Sequence, residues 1–225
     1  MKHAMTRTLF IGDVHGCPAE LDALLRKCRY RPGERVVLVG DLVAKGPDSA
    51  GVVRRAREGR WLAVKGNHDE HVLRWRAGLM PEGKKLKREH KQVLETLEEA
   101  DWAYLESLPL HLYFPDLNVR VVHGGFVPDV PMEQQLPELL LNLRSIKPSG
   151  EPSKKMEAGV PWASLWKGPE LVIFGHDALR GRQEHPHAIG LDSGCVYGGR
   201  LTAYALPDAR FYSVKAKKVY MGLDD

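Results

Sequence analysis

Aspartate, asparagine and histidine recur in this sequence directly after short apolar runs, each time beside glycine. The run 8–11 is followed by Gly12-Asp13-Val14-His15-Gly16, the run 35–39 by Gly40-Asp41, and the run 61–64 by Lys65-Gly66-Asn67-His68-Asp69. His123-Gly124-Gly125 follows 119–122, and Gly175-His176-Asp177 follows 171–174. Asp13, His15, Asp41, Asn67, His123 and His176 form a mixed oxygen and nitrogen donor set that needs no thiolate. Such a set suits borderline or hard divalent ions such as Mn²⁺, Fe²⁺, Co²⁺ or Zn²⁺. Six protein ligands exceed what one catalytic ion needs if positions are to stay open, and they fit two ions sharing one carboxylate. Two ions about 3.5–4 Å apart can bind a phosphoryl oxygen and generate hydroxide between them. The glycines let the backbone turn sharply and come close to a bulky phosphate.

Those donors act together only if the turns face one crevice. The apolar runs are too short for helices and rich in Val, Ile, Leu or Phe, so each reads as a buried strand. Strand carboxyl ends in an open α/β sheet share one crevice, which would bring the donors to a single site. Helices are expected between the strands. Pro18 suits the first helical position ahead of Leu21, Leu24, Leu25 and Cys28, and Asp48 suits a cap before Val52, Val53 and Ala56. A longer pattern runs through Leu86, Val93, Leu94, Leu97, Tyr104 and Leu108, and another through Leu136, Leu139, Leu140 and Leu143. Lys84, Lys85, Lys87, Arg88 and Lys91 read as a solvated helix face in preference to a substrate-facing one. Beyond Gly175, the runs 187–191, 200–206 and 210–215 read as strands joined by tight turns, a second and mainly antiparallel part of the sheet system. The segment 147–158, rich in Pro, Ser, Gly, Lys and Glu, reads as an exposed loop or mobile excursion. With no repeat and no convincing linker, residues 1–225 are expected to form one domain.

Composition narrows the function classes. Hydrophobic residues at 43% and charged residues at 28% exclude a disordered chain. No run approaches about 18 apolar residues, so no membrane partner is expected, and residues 1–8 lack an apolar signal core. The odd set Cys17, Cys28 and Cys195 argues against a disulfide framework and for a reducing, cytoplasmic location. A net charge of +4 mildly favours anionic partners but predicts no stable nucleic-acid partner. His3, His71, His90, His111, His185 and His187, outside the glycine-flanked turns, read as surface or packing residues. Cys17 reads as small packing rather than a thiol nucleophile. Trp162 and Trp166, near Lys167, read as packing rather than a base-stacking platform. Tyr197, in a Gly-rich loop, is open to either a substrate contact or support of its hairpin.

Taken in order, these motifs resemble the calcineurin-like metallophosphoesterases, and more narrowly their phosphoprotein phosphatase branch. Leu191-Asp192-Ser193-Gly194-Cys195-Val196-Tyr197-Gly198-Gly199 is similar to the closing motif of that branch, and the resemblance spans about residues 8–206. Departures refine it. Where protein phosphatases read Gly-Asp-x-Val-Asp-Arg-Gly, this chain reads Gly40-Asp41-Leu42-Val43-Ala44-Lys45-Gly46. Ala44 lacks the carboxylate that orients the catalytic histidine there, Lys45 replaces a phosphate-gripping arginine, and Asp69 stands where those enzymes have Glu. This pattern, with Phe174-Gly175-His176-Asp177-Ala178, is similar to the symmetrical bis(5′-nucleosyl)-tetraphosphatases, especially their ApaH-like phosphatase members.

The resemblance implies an α/β fold, the metallophosphoesterase α/β/β/α sandwich of two mixed sheets flanked by helices, with a helical cap at about 70–110. It implies two divalent metal ions, Mn²⁺ first. Asp13, His15 and Asp41 would hold one, and Asp41, Asn67, His123 and His176 the other. His68 would protonate the leaving oxygen, with Asp69 a candidate to orient it in place of Ala44. Lys45, Asn67 and Tyr197 would meet substrate phosphate, Lys45 as a point charge rather than a fork. The implied reaction is hydrolysis of a dinucleoside polyphosphate, diadenosine tetraphosphate giving two ADP. The alternatives are a serine/threonine or tyrosine protein phosphatase acting on phosphoproteins, an RNA cap hydrolase, and a non-catalytic binding module. The complete donor set argues against the last.

Overall fold

The computed structural model describes residues 6–222, so His3 lies outside the described residues. Two five-stranded mixed sheets face each other. In the first, β1 (Thr8–Ile11), β2 (Arg35–Leu38) and β3 (Leu62–Ala63) run parallel, and β12 (Arg200–Leu206) and β13 (Arg210–Lys215) extend it antiparallel beyond β1. In the second, β5 (Val119–Val122), β9 (Leu171–Phe174) and β11 (Ala188–Gly190) run parallel. Antiparallel β4 (His111–Phe114) and β10 (Gln183–His185) form its edges. The strands read beyond Gly175 are thus divided between the two sheets and form no separate meander.

Strand alternation sorts side chains into layers. Phe10, Val37 and Val39 point between the sheets and meet Phe114, Val119, Val121, Ile173 and Leu191. Leu9, Ile11, Val36 and Leu38 point the other way, onto Leu21 and Leu24 of α1 (Pro18–Lys27) and Val52, Val53 and Ala56 of α2 (Ser49–Glu58). The outer face of the second sheet packs on Phe126, Trp162 and Trp166 and on α6 (Pro137–Asn142). The sandwich of two mixed sheets with flanking helices is therefore present.

The region 70–110 is helical, but it is not one long helix. Three helices occupy it: α3 (Asn67–Arg76), α4 (Arg88–Thr96) and α5 (Glu99–Glu106). The pattern from Leu86 to Leu108 breaks at Leu97, whose backbone is extended, because Asp101 caps a new helix by accepting from Glu98 N–H at 3.3 Å. Segment 147–158 is also more ordered than its composition suggests. It holds β7 (Pro152–Ser153), which with β8 (Val160–Pro161) pairs onto β6 (Ser145–Ile146). Arg180 secures it by donating to Met156 O at 2.8 Å and Ser145 Oγ at 3.0 Å.

Candidate metal centre

The parallel strands of both sheets end at one place, and the donor-bearing turns lie there. The turns are tight enough to force non-glycine residues into the left-handed region: His15 (φ 45°), Asp41 (φ 50°), Lys45 (φ 65°) and His176 (φ 69°). Such backbone is unfavourable for these residue types and persists only where surrounding contacts hold it. Glycine is required where a carboxylate comes close. A Cβ at Gly66 would lie 2.1 Å from Asp41 Oδ1, and one at Gly175 would lie 2.1 Å from Asp13 Oδ1.

Asp13, His15 and Asp41 bring ligand atoms within 4.8 Å of one another, all buried. Asp41 is the hub. Its Oδ2 lies 3.4 Å from both His15 Nε2 and His123 Nε2, and Asn67 Oδ1 lies 3.0 Å from that same His123 nitrogen. Backbone carbonyls set both rings, Val43 O taking His15 Nδ1 at 3.1 Å and Val39 O taking His123 Nδ1 at 2.9 Å. A ring pinned at Nδ1 presents Nε2, the usual arrangement behind a histidine ligand. His176 packs edge-on to His123, and its backbone N–H donates to both Asp13 oxygens at 3.1 and 3.2 Å. His176 Nε2 is buried with no hydrogen-bond partner among the described residues.

The charge balance also suits cations. Burial, then the charge of Asp192, pushes Asp13 well above the usual carboxylate range. Burial raises Asp192 to about 6. Burial acts the same way on Asp41, but His123, His68 and His15 outweigh it and hold Asp41 well below its ordinary value. His123 goes to about 9: burial opposes the proton, and Asp41 more than compensates. Burial and then Lys45 lower His15 to about 3, so its approach to Asp41 is that of a neutral ring. Asp13 and Asp192 raised by burial and mutual repulsion, a neutral His15, an orphaned His176 Nε2, and an Asp41 that must draw on a proton of His123 for its counter-charge are a donor set short of positive charge, so the residues fit divalent ions. Lys45 Nζ lies 3.2 Å from His15 Nε2, so lysine and an ion would compete for that lone pair.

All six sequence-predicted ligands thus converge. Lys45 Nζ also lies 5.3 Å from the centre of the Tyr197 ring, and both line the pocket over the centre. Asp69 does not do what was expected of it. Its carboxylate is fully buried and spent on backbone: Leu42 N at 3.0 Å, Val43 N at 3.2 Å and Gly66 N at 2.9 Å. It ties the Asp41 turn to the Asn67 turn and makes no hydrogen bond to the His68 ring. That ring instead meets His90, with His68 Nδ1 to His90 Nε2 at 3.1 Å. His90, expected at the surface or in packing, is 4% exposed and packs on His68 and His71. Asp192 and Arg144, which line the pocket with the ligands, also escaped the sequence reading; the position of Asp192 after a buried run was the available signal for it. Trp162 and Trp166 are core residues, and Cys17 is fully buried.

From His68 a cleft of about 880 Å³ extends outward between α3, the segment before α4, and α6. Six cationic side chains line it (Lys45, Arg74, Lys84, Lys85, Lys87, Arg144) against three acidic ones (Glu70, Glu89, Glu138). Lys84, Lys85 and Lys87 therefore face the cleft and do not belong to a solvated helix face. A second groove of about 600 Å³, with Arg88 and Lys218, adjoins it and shares Lys45, Glu89 and Met221 with it.

Residues 6–212 match the calcineurin-like phosphoesterase family. The asymmetrical bis(5′-nucleosyl)-tetraphosphatase PrpE of Oceanobacillus iheyensis is 26% identical, covering 94% of this chain and 93% of its own. A symmetrical bis(5′-nucleosyl)-tetraphosphatase of Photorhabdus laumondii is 29% identical over 92% and 96%. Serine/threonine-protein phosphatase 1 of Salmonella typhimurium is 32% identical over 85% and 88%. A crystal structure provisionally described as a diadenosine tetraphosphatase superposes with a TM-score of 0.86 at 39% identity, covering 96% of each chain.

Proposed function

Because the chain belongs to the calcineurin-like phosphoesterase family and is a hydrolase of phosphate esters or anhydrides, we propose that its substrate is a dinucleoside polyphosphate, diadenosine tetraphosphate cleaved symmetrically to two ADP. The observation that carries this reading is the pair of cation-bearing grooves that share Lys45, which also lines the pocket over the donor centre. A four-phosphate chain with a nucleoside at each end has negative charge on both sides of its midpoint. A phosphomonoester would need only one arm. Relatives named as bis(5′-nucleosyl)-tetraphosphatases support the same class.

Two divalent ions, Mn²⁺ first, held by Asp13, His15 and Asp41 on one side and Asp41, Asn67, His123 and His176 on the other, would supply Lewis-acid polarisation of phosphorus and a nucleophilic hydroxide. The chain's own residues do the rest. Lys45 balances charge on the bound phosphates, steadied by the Tyr197 ring beneath it. Val39 O holds the His123 ring through Nδ1 and sets its Nε2 beside Asn67 Oδ1 and Asp41. His68 gives a proton from Nε2 to the leaving phosphate oxygen. Burial, joined by Lys45, His15 and His90, outweighs Asp41 and holds His68 well below its ordinary value in the free site. The negative charge of a bound polyphosphate acts in the opposite direction and brings the proton that His68 passes on.

Product analysis tests the reading. Diadenosine tetraphosphate with Mn²⁺ should give ADP as the main product. Predominant AMP and ATP would replace the symmetrical cut by an asymmetrical one, as the name of one relative has it. The 32% identity to a serine/threonine-protein phosphatase supports a second reading, and a higher kcat/KM on phosphopeptides than on any dinucleoside polyphosphate would select it.

A further inference from the structure

Helix α3 carries His68, His71 and Trp75 on one face, at i, i+3 and i+7. His90, near the start of α4, inserts against that face. Its ring lies nearly parallel to that of His68, with planes 9° apart, and packs on His71 with centroids 4.4 Å apart. Trp75 Nε1–H donates to His71 Nε2 at 3.0 Å and holds that ring in place. Glu89 Oε1 lies 3.7 Å from His90 Nδ1, a buried atom with no hydrogen-bond partner among the described residues, so the carboxylate acts on it by charge and not through a hydrogen bond. His90 Nε2 is the single hydrogen-bond partner of the His68 ring among the described residues.

One proton must lie between His68 Nδ1 and His90 Nε2, and Glu89 decides on which ring. With the proton on His68 Nδ1, His90 carries its own hydrogen on Nδ1, facing the Glu89 carboxylate. With the proton on His90 Nε2, a neutral His90 would turn a bare Nδ1 towards that carboxylate, and two acceptors would face each other. The first arrangement is favoured. It leaves His68 Nε2 as the nitrogen turned to the substrate. Burial and then His71 lower His90 to about 4, so it stays a neutral acceptor and adds no charge beside His68. Residue 44, in the neighbouring turn, is alanine and offers the ring no partner.

We propose that His90, backed by Glu89, is the positioning residue for His68: it accepts the Nδ1–H of His68 and so fixes the tautomer and direction in which Nε2 meets the leaving phosphate. The inference rests on His68 being the proton donor to that group.

The test is a double-mutant cycle on the Mn²⁺-loaded enzyme, with diadenosine tetraphosphate and an activated aryl phosphate in parallel. A ring turned out of place costs on the order of 10–100-fold. His90→Ala should therefore lose about 10–100-fold in kcat on the tetraphosphate with KM nearly unchanged, and much less on the aryl phosphate, whose leaving group needs no proton. His68→Ala/His90→Ala should be no slower than His68→Ala alone, because a residue that acts through another has no effect without it. His90→Gln, which keeps an acceptor near the Nε2 position, should restore most of the rate. Glu89→Gln should cost several-fold with His68 present and nothing in the His68→Ala background; this pair decides the matter if His90→Ala does not fold. Nitrogen-15 spectra of metal-free protein give a readout independent of activity. His68 should be the Nδ1–H tautomer in the parent and shift towards Nε2–H in His90→Ala. Additive losses, an effect confined to KM, equal losses on both leaving groups, or an unchanged His68 tautomer would overturn the assignment. If neither dinucleoside polyphosphate nor phosphopeptide is turned over, the functional reading fails by itself, and the tautomer measurement still decides the His90–His68 coupling.

Discussion

Replacing Asp69 separates two roles that the sequence could not. Its carboxylate is 0% exposed and accepts three backbone N–H groups, from Leu42, Val43 and Gly66. Asp69→Ala would leave all three buried and unpaired, and each unsatisfied buried donor costs about 1–3 kcal/mol. Partial access of water to the enlarged site favours the lower half, about 3–6 kcal/mol. At about 2–4 °C per kcal/mol for a chain of this size, Tm should fall by about 6–24 °C. Asp69→Asn keeps one acceptor for Leu42 and Val43 but sets its NH₂ against Gly66 N–H, donor to donor, and should cost about 1–3 kcal/mol. The same tie spaces the Asp41 turn from the Asn67 turn, so Mn²⁺ affinity measured by calorimetry should weaken in both variants. Urea unfolding of metal-free protein gives the stability term, and kinetics at saturating Mn²⁺ give any catalytic term. A loss below 1 kcal/mol for Asp69→Ala, with kcat reduced and metal affinity intact, would mean that Asp69 works on His68 after all.

Other consequences can be checked independently. Asp41→Asn removes the carboxylate 3.4 Å from both His15 and His123; turnover should drop by several orders of magnitude and metal content fall at both positions, whereas full activity of chelator-stripped parent protein would refute the two-ion reading. Lys84→Gln/Lys85→Gln/Lys87→Gln removes half of the six cations lining the main cleft; KM for diadenosine tetraphosphate should rise about tenfold at low salt with kcat kept, and the salt dependence of kcat/KM should flatten. An unchanged KM in that variant would return the three lysines to a solvated face. Trp162→Ala should cost about 3–5 kcal/mol, since the ring is buried and donates to Gly124 O at 3.0 Å; KM at a temperature where the variant stays folded should not change, and a large KM increase would restore the base-stacking role.

Much of the centre was legible because each donor sits immediately after a buried strand, and strand ends are where local pattern and tertiary position coincide. Asp13, His15, Asp41, Asn67, His123 and His176 needed only that the strand ends converge. The C-terminal strands were legible as strands but not as members of two sheets, because alternation tells which face of a strand is buried and not which neighbour it pairs with. Segment 147–158 looked like a loop because the contacts that order it come from Arg180, far along the chain.

Asp69 and His90 show the limit most sharply. Asp69 was tied to His68 because the two are adjacent in sequence, yet helix α3 begins at Asn67. Successive side chains on a helix diverge by about 100°, so neighbours at i and i+1 do not face each other. Asp69 turns back to the Gly66 amide at the helix start, and His68 turns to the face shared with His71 and Trp75. His90, 22 residues away among lysines, reaches that face only because α4 packs across α3. A helix start placed at Asn67 from the sequence alone would have ruled out Asp69 as the partner of His68; naming His90 required the packing of a second helix, which no local pattern encodes.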